Sequence, residues 1–172
     1  MPKKVYCNVE DHRLYTNGTL CEDITSVSLP TIEHTTTTIK VAGVPVELEI
    51  PNITRVKAME FGVSHNNGEN CNLLINSDKQ TLEFRLVRQR YETVEGVVGH
   101  ASVKYRITGI FQKREEGTAE TDNPLGYTDT FSVLRYQELV DGEEILLIDA
   151  MTGTIRKNGV DVTDIVQQLL DA

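Results

Sequence analysis

Tryptophan is absent from this chain of 172 residues, and aromatic residues make up only 6% of it. With six Tyr and four Phe, an exposed aromatic platform of the kind that binds carbohydrate is poorly supplied. Cysteine is scarce as well. Cys7, Cys21 and Cys71 are three in number and widely spaced, which argues against a disulfide framework and for reduced thiols. Cations are in the minority, 17 Lys and Arg against 26 Asp and Glu, for a net charge of -9. That excludes a stable nucleic-acid binder, because such affinity comes from cations that displace condensed counterions. A surface past which nucleic acid slides without sticking remains compatible with it. No apolar run approaches the roughly 20 residues of a transmembrane helix, so membrane insertion is not expected. The lysines of "MPKKVYCNVEDH" are followed by no apolar stretch of the signal-peptide kind. Synthesis in a cytoplasm follows as the expectation.

Catalytic and cofactor motifs are missing too. There is no C-x-x-C, H-E-x-x-H or G-x-S-x-G, and no phosphate-cradling glycine loop. The acid pairs Glu115-Glu116 and Glu143-Glu144 are sequence neighbours, and on a strand neighbours point to opposite faces, so neither makes an acid/base couple. His12, His34, His65 and His100 show no ligand spacing. His65 and Cys71 share one polar stretch, "SHNNGENCN", but a solvated loop histidine beside a buried cysteine is the favoured reading over a metal site. No enzyme activity, catalytic residue, metal or cofactor is expected.

What is present is β-structure. Apolar residues at 39% and charged residues at 25% are a globular balance, and the length suits a single domain over 1–172. Leu82, Phe84 and Leu86 alternate with Thr81, Glu83 and Arg85, and Val103, Tyr105, Ile107 and Phe111 share a face against Ser102, Lys104, Arg106 and Thr108. Period two over such lengths predicts strands. "RVKAMEFGV" predicts another, with Met59, Phe61 and Val63 on one face. Asn17-Gly18, Asp141-Gly142 and Asn158-Gly159 read as tight turns, and "EGVVGH" as a hairpin or bulge. "CNLLINSDKQ" carries only a faint helical signal.

Three segments stand apart. Residues 31–53 read as an extended arm, with Val44, Val46, Leu48 and Ile50 alternating between Pro30 and Pro51. These four are candidate contacts to an adjacent subunit, a solvent-exposed flap being the other reading. Residues 115–129 form an acidic loop, whose Glu115, Glu116, Glu120, Asp122 and Asp129 are candidates for meeting another copy of the chain, with Lys3, Lys4, Arg156 and Lys157 as candidate partners. At the C-terminal end, "DVTDIVQQLLDA" predicts a helix over Thr163–Leu170, capped by Asp161 or Thr163 and packing Ile165, Val166, Leu169 and Leu170 on the sheet. Finally, Ile145-Leu146-Leu147-Ile148 is apolar on both faces of a strand, which calls for a second cover beyond the core: this helix, together with copies of the chain.

"TDTFSVLRYQELVDGEEILLIDAMTGTIRKNGVD", Thr128 to Asp161, resembles the C-terminal region of the major tail tube proteins of contractile-tailed phages. A strand, an Asp-Gly turn and an "ID…NGVD" strand pair come in the same order there. "SVSLPTIE", Ser26 to Glu33, is similar to that family's "SVxLPxLx", and "YRITGIFQKRE", Tyr105 to Glu115, to its central strand, with Thr108 where the family carries Arg. The resemblance implies a mainly β fold, a β-sandwich or barrel with a flanking helix and an extended arm, assembling into hexameric rings stacked as a tube. It also implies the partners of such a tube: the tail sheath protein, a baseplate and tail terminator, and a tape-measure protein and DNA passing through the lumen without stable binding. The site of action would be a virion tail or bacteriocin particle. The acidic balance suits a lumen that repels phosphate. A type VI secretion tube and a carbohydrate- or protein-binding β-sandwich are the alternatives.

Overall fold

The computed structural model describes residues 3–172. Twelve strands are formed: β1 (Lys4–Thr16), β2 (Thr19–Cys21), β3 (Ile24–Ser28), β4 (His34–Ile39), β5 (Leu48–Val56), β6 (Glu60–His65), β7 (Gln80–Glu92), β8 (Val97–Glu116), β9 (Tyr127–Val140), β10 (Glu143–Asp149), β11 (Thr154–Lys157) and β12 (Val160–Asp161). A 3-10 turn at Cys71–Leu74 and one short helix, α1 (Asp164–Leu170), complete the described chain. Ten strands make one antiparallel sheet along the path β12-β11-β10-β9-β8-β7-β1-β2, with β6 on β9 and β3 on β6. Because β4 and β5 pair only with each other, they form a separate two-stranded sheet.

The turns follow from their residues. Asn17, Asp141 and Asn158 take positive φ together with the glycine that follows each, the geometry of two-residue hairpin connections. β9 organises the sheet. One edge pairs with β8; on the other, Tyr127–Ser132 pair with β6 and Arg135–Val140 with β10. The handover coincides with a register shift, where Thr108 opposes Arg135 but Gly109 opposes Val133, so Leu134 is the extra residue of a bulge. Gly109 is required there: a Cβ at this position would lie 2.8 Å from the Ser132 carbonyl oxygen.

One core joins strands from β11 round to β2, which a flat sheet could not do, so the sheet bends about it. Leu14, Phe61, Val63, Leu82, Ile107 and Phe131 are fully buried in it, and Ile148 and Ile155 close it from the β10–β11 side. The predicted faces of β6, β7 and β8 are the ones that face inward. The sheet is not closed into a barrel, since β2 and β12 at the ends of the path do not pair with each other. Where a helical signal was faint, the chain makes a single 3-10 turn whose Cys71 and Leu74 plug one end of the core.

The expectations for Ile145–Ile148 and for α1 need correction. A register shift between Glu144 and Leu146 makes Ile145 the bulged residue of β10, and Leu146 and Ile148 turn to the core. Leu147 faces the opposite way yet is buried within the protomer, flanked across the ladder by Gln137 and Arg156 rather than by α1. α1 does not pack on the sheet: Leu169 and Leu170 are 73% and 75% exposed, and Ile165 is 63% exposed. Its start is nonetheless fixed. Asp161 Oδ1 accepts from the Thr163 and Asp164 amides and from the Thr163 hydroxyl, so Asp161 satisfies the helix terminus although Thr163 holds the capping position.

Urea unfolding separates the two environments. Leu82→Ala should cost about 2–5 kcal/mol by opening a cavity in the core, whereas Leu169→Asp should stay within about 0.5 kcal/mol of the unmutated protomer.

Candidate assembly surfaces

The arm is built by β4 and β5. Ile39 opposes Leu48 and Thr37 opposes Ile50, so Ile39, Leu48 and Ile50 share one face, while Thr36 and Glu49 hydrogen-bond on the other. Val44 and Val46 lie in the tip rather than in a strand, at 49% and 60% exposure, and Lys40 and Glu47 pair across the neck of that tip. The hairpin spans 34–56, against the expected 31–53. Its root is fastened by the Lys57 amide to the Glu33 carbonyl, by the His34 ring to the Arg55 carbonyl, and by a 2.7 Å contact between Lys157 Nζ and His34 Nε2. An apolar face with no body beneath it is therefore held out by a tied root.

The acidic segment divides. Glu115 and Glu116 end β8, Glu120 and Asp122 belong to the loop before Tyr127, and all four are exposed. Gly117 lets the ends of that loop meet, since a Cβ there would stand 2.5 Å from the Gly126 carbonyl oxygen. Asp129 is different and leaves the candidate set. It lies on β9 with the inward parity of Phe131, is fully buried, and takes a bidentate pair from Arg114 at 2.6 and 2.8 Å. His65 Nε2 lies 2.8 Å from Asp129 Oδ2, the oxygen that also accepts from Arg114 Nη2, while Nδ1 accepts the Asn67 amide at 3.0 Å. An acceptor role at Nδ1 assigns the proton to Nε2, which donates to the carboxylate, so the imidazole is neutral. Tyr127 stacks on the His65 ring with centroids 5.6 Å apart. His65 is thus a buried strand residue, not the solvated loop residue its polar surroundings suggested. Only the two-residue alternation Asp129-Phe131-Val133 could have revealed this cluster in the sequence. Among the described residues, no group of three His, Cys, Asp or Glu side chains could hold a metal ion.

The four candidate cations also separate. Arg156 is engaged by Glu144 at 3.0 Å and Lys157 by His34, whereas Lys3 and Lys4 sit at the beginning of β1. Lys4 opposes Glu92, which opposes Val97 at the start of β8, while Glu115 and Glu116 end β8. At about 3.3 Å per residue, a strand contour of about 60 Å separates these lysines and acids, which stand at opposite ends of β8.

The face of the long strands turned away from the core carries charge of the other sign. Arg13 opposes Arg85 and Arg85 opposes Lys104 on three adjacent strands, with Arg106 one row on. Glu83 is the acid among them, in contact with Arg85, Lys104 and Arg106. Burial alone would raise its carboxyl, but these three cations overcome that and hold it below the ordinary range.

A strand-rich protomer with an open sheet and exposed apolar surface on an arm and on a helix carries the kind of surface that protein contacts use. The chain belongs to the phage tail tube protein FII family, whose model matches residues 8–170. The structural tail tube role implied by the C-terminal strand pair is the role of that family. No curated protein matches the chain. Its fold is shared by two components of an extracellular contractile injection system. One is the PVC sheath/tube terminator in the extended state, with a TM-score of 0.55 and 11% identity over 77% of this chain and 96% of that one. The other is the PVC sheath–tube complex in the extended state, with a TM-score of 0.53 and 11% identity over 74% and 87%. Hcp1 from Flavobacterium johnsoniae, at a TM-score of 0.44 and 14% identity, is too distant to argue a shared fold.

Arg114→Met should leave the fully buried Asp129 carboxylate without its cation, at a cost of about 3–5 kcal/mol in urea unfolding. A loss below about 1 kcal/mol would mean that water reaches the cluster.

Proposed function

We propose that this chain is the repeating subunit of the inner tube of a contractile tail, in which rings of six stack within a sheath and leave a lumen for DNA delivery. Its work is structural and not catalytic. The observation that carries the reading is the arm: a tied two-stranded hairpin with Ile39, Val44, Val46, Leu48 and Ile50 exposed outside the core. Exposed apolar residues concentrated on a projecting element mark a protein contact. In the tube the arm lies on an adjacent subunit. The family match supports this, as does the printed association of the fold's relatives with a sheath and a terminator. Sheath, baseplate, terminator and tape-measure protein are the partners such a tube requires, and the virion or particle tail is its place.

Stacking follows from the end charges. Like subunits placed head to tail bring the Glu115, Glu116, Glu120 and Asp122 end of one against the Lys3 and Lys4 end of the next, a heterologous contact that propagates. DNA passes without stable binding because the protein as a whole is acidic, at -9.

Negative-stain microscopy of concentrated protein tests the arm. Deleting residues 36–48 should leave a folded, cooperatively unfolding protomer and abolish tubes; tubes forming at the unmutated rate would remove the arm from the interface. Stacking is tested by charge reversal. Glu115→Lys with Glu116→Lys should slow tube growth, added Lys3→Glu with Lys4→Glu should restore part of it, and raised salt should weaken growth because the Debye length is only about 10 Å at 0.1 M. Growth indifferent to salt, with no rescue, would leave stacking to apolar contacts.

A further inference from the structure

α1 is an apolar element that nothing in the protomer covers, and at the root of the arm lies a groove whose floor is the edge of the core. The stripe of α1, Ile165 and Leu169 with Val166 and Leu170 beside them, is exposed along its whole length. Seven residues make a helix too short to be stable in water without packing, so α1 calls for a partner. The groove has a volume of about 410 Å³ and lies between β5 and the β10–β11 turn, over Val56, Met59, Val133, Ile148 and Ile155. Arg55 stands at its rim and makes no ion pair among the described residues.

We infer that α1 of one copy docks in the arm-root groove of the next, with its apolar stripe on the groove floor and its acids toward Arg55. Charge selects this occupant. From Asp161 to Ala172 the chain carries Asp161, Asp164 and Asp171 and no cation, whereas Arg55 is, among the described residues, the unpaired charge of the lining, Lys57 being held by Glu33 and Asp149 by Arg135. Continuity selects it too. Thr35, Thr54 and Arg55 belong to the arm and line the groove, so the arm contact and the helix contact form one surface. The start of α1 is pinned by Asp161, and the Val162 amide bonds the Ile155 carbonyl at 2.9 Å, which fixes where the helix leaves the body. A patch that fits a different patch on the next copy is heterologous, and repeats into a ring or a filament. The inference rests on the tube reading and adds what meets the root of the arm.

The test mixes two separately purified chains in a Cys7→Ser background, one with Leu169→Cys and one with Ala58→Cys, under a mild oxidant during assembly. A disulfide-linked heterodimer is expected, with little in mixtures held below the assembly concentration. Tubes without this cross-link would overturn the inference and leave the tube reading intact. So would a cross-link confined to the single chain that carries both substitutions, since the helix would then cover its own groove. An unmutated chain that never assembles would overturn both. Independently, Arg55→Glu should slow assembly about tenfold, and Asp164→Lys with Asp171→Lys should recover part of the loss while protomer unfolding stays unchanged. Unaltered assembly in Arg55→Glu would overturn the charge argument for the occupant.

Discussion

Every other element takes its position from the double use of one edge of β9. Its first half pairs with β6 and its second half with β10, and the bulge at Leu134 lets one strand serve both. Below the bulge, Asp129, Phe131 and Val133 face inward; above it, Tyr136 does. Were the same residues paired without a bulge, Tyr136 would fall three positions after Val133 and turn away from the core that Ile148 and Ile155 complete. Gly109 on β8 admits the bulge, because any side chain there would meet the β9 backbone. This bulge lets one strand serve two neighbours while the ten-stranded sheet stays open.

That arrangement determines what stays uncovered. β4 and β5 branch off between β3 and β6, pair with each other rather than with the free edge of β3, and project. α1 follows β12, the last strand at an open end of the path, with no further layer to lie on. Apolar area outside the core is worth about 25 cal/mol per Å² once removed from water, a driving force that only a second molecule can realise here. Interfaces that hold permanent assemblies commonly bury roughly 2,000 Å² or more, and a projecting arm reaches such areas from a small body.

Much of this was legible in the residues. Alternation located β6, β7 and β8 and their inward faces, because period two survives wherever one face is buried. Asn-Gly and Asp-Gly located the hairpins, since positive φ limits the choice of residue. The arm was legible as apolar alternation bounded by prolines, although Val44 and Val46 belong to its tip. Other features depended on register, which composition does not encode. The inward turn of Asp129 depends on its step from Phe131, and its cation and imidazole come from two other strands. Leu147 is buried because Glu144 is shifted across a bulge. α1 was legible as a helix with one apolar stripe, but a stripe specifies only that a partner is needed, not which molecule supplies it.

Charge shows the same separation of whole from part. A net charge of -9 suggested an acidic lining, yet the outward face of the long strands carries Arg13, Arg85, Lys104 and Arg106 around Glu83. The acids concentrate instead at the end of β8 and on the arm and its surroundings, such as Glu33, Glu47 and Glu49. A subunit charged in this way has direction: four acids gather at one end of β8, and the sheet face differs from that rim. Within a stack, fields of opposite sign at facing ends favour one polarity of addition over the other, and like ends repel. Apolar contacts by themselves are indifferent to polarity. The acidic end and the lysine end therefore contribute orientation, and the arm and helix contribute the burial that holds the subunits once oriented.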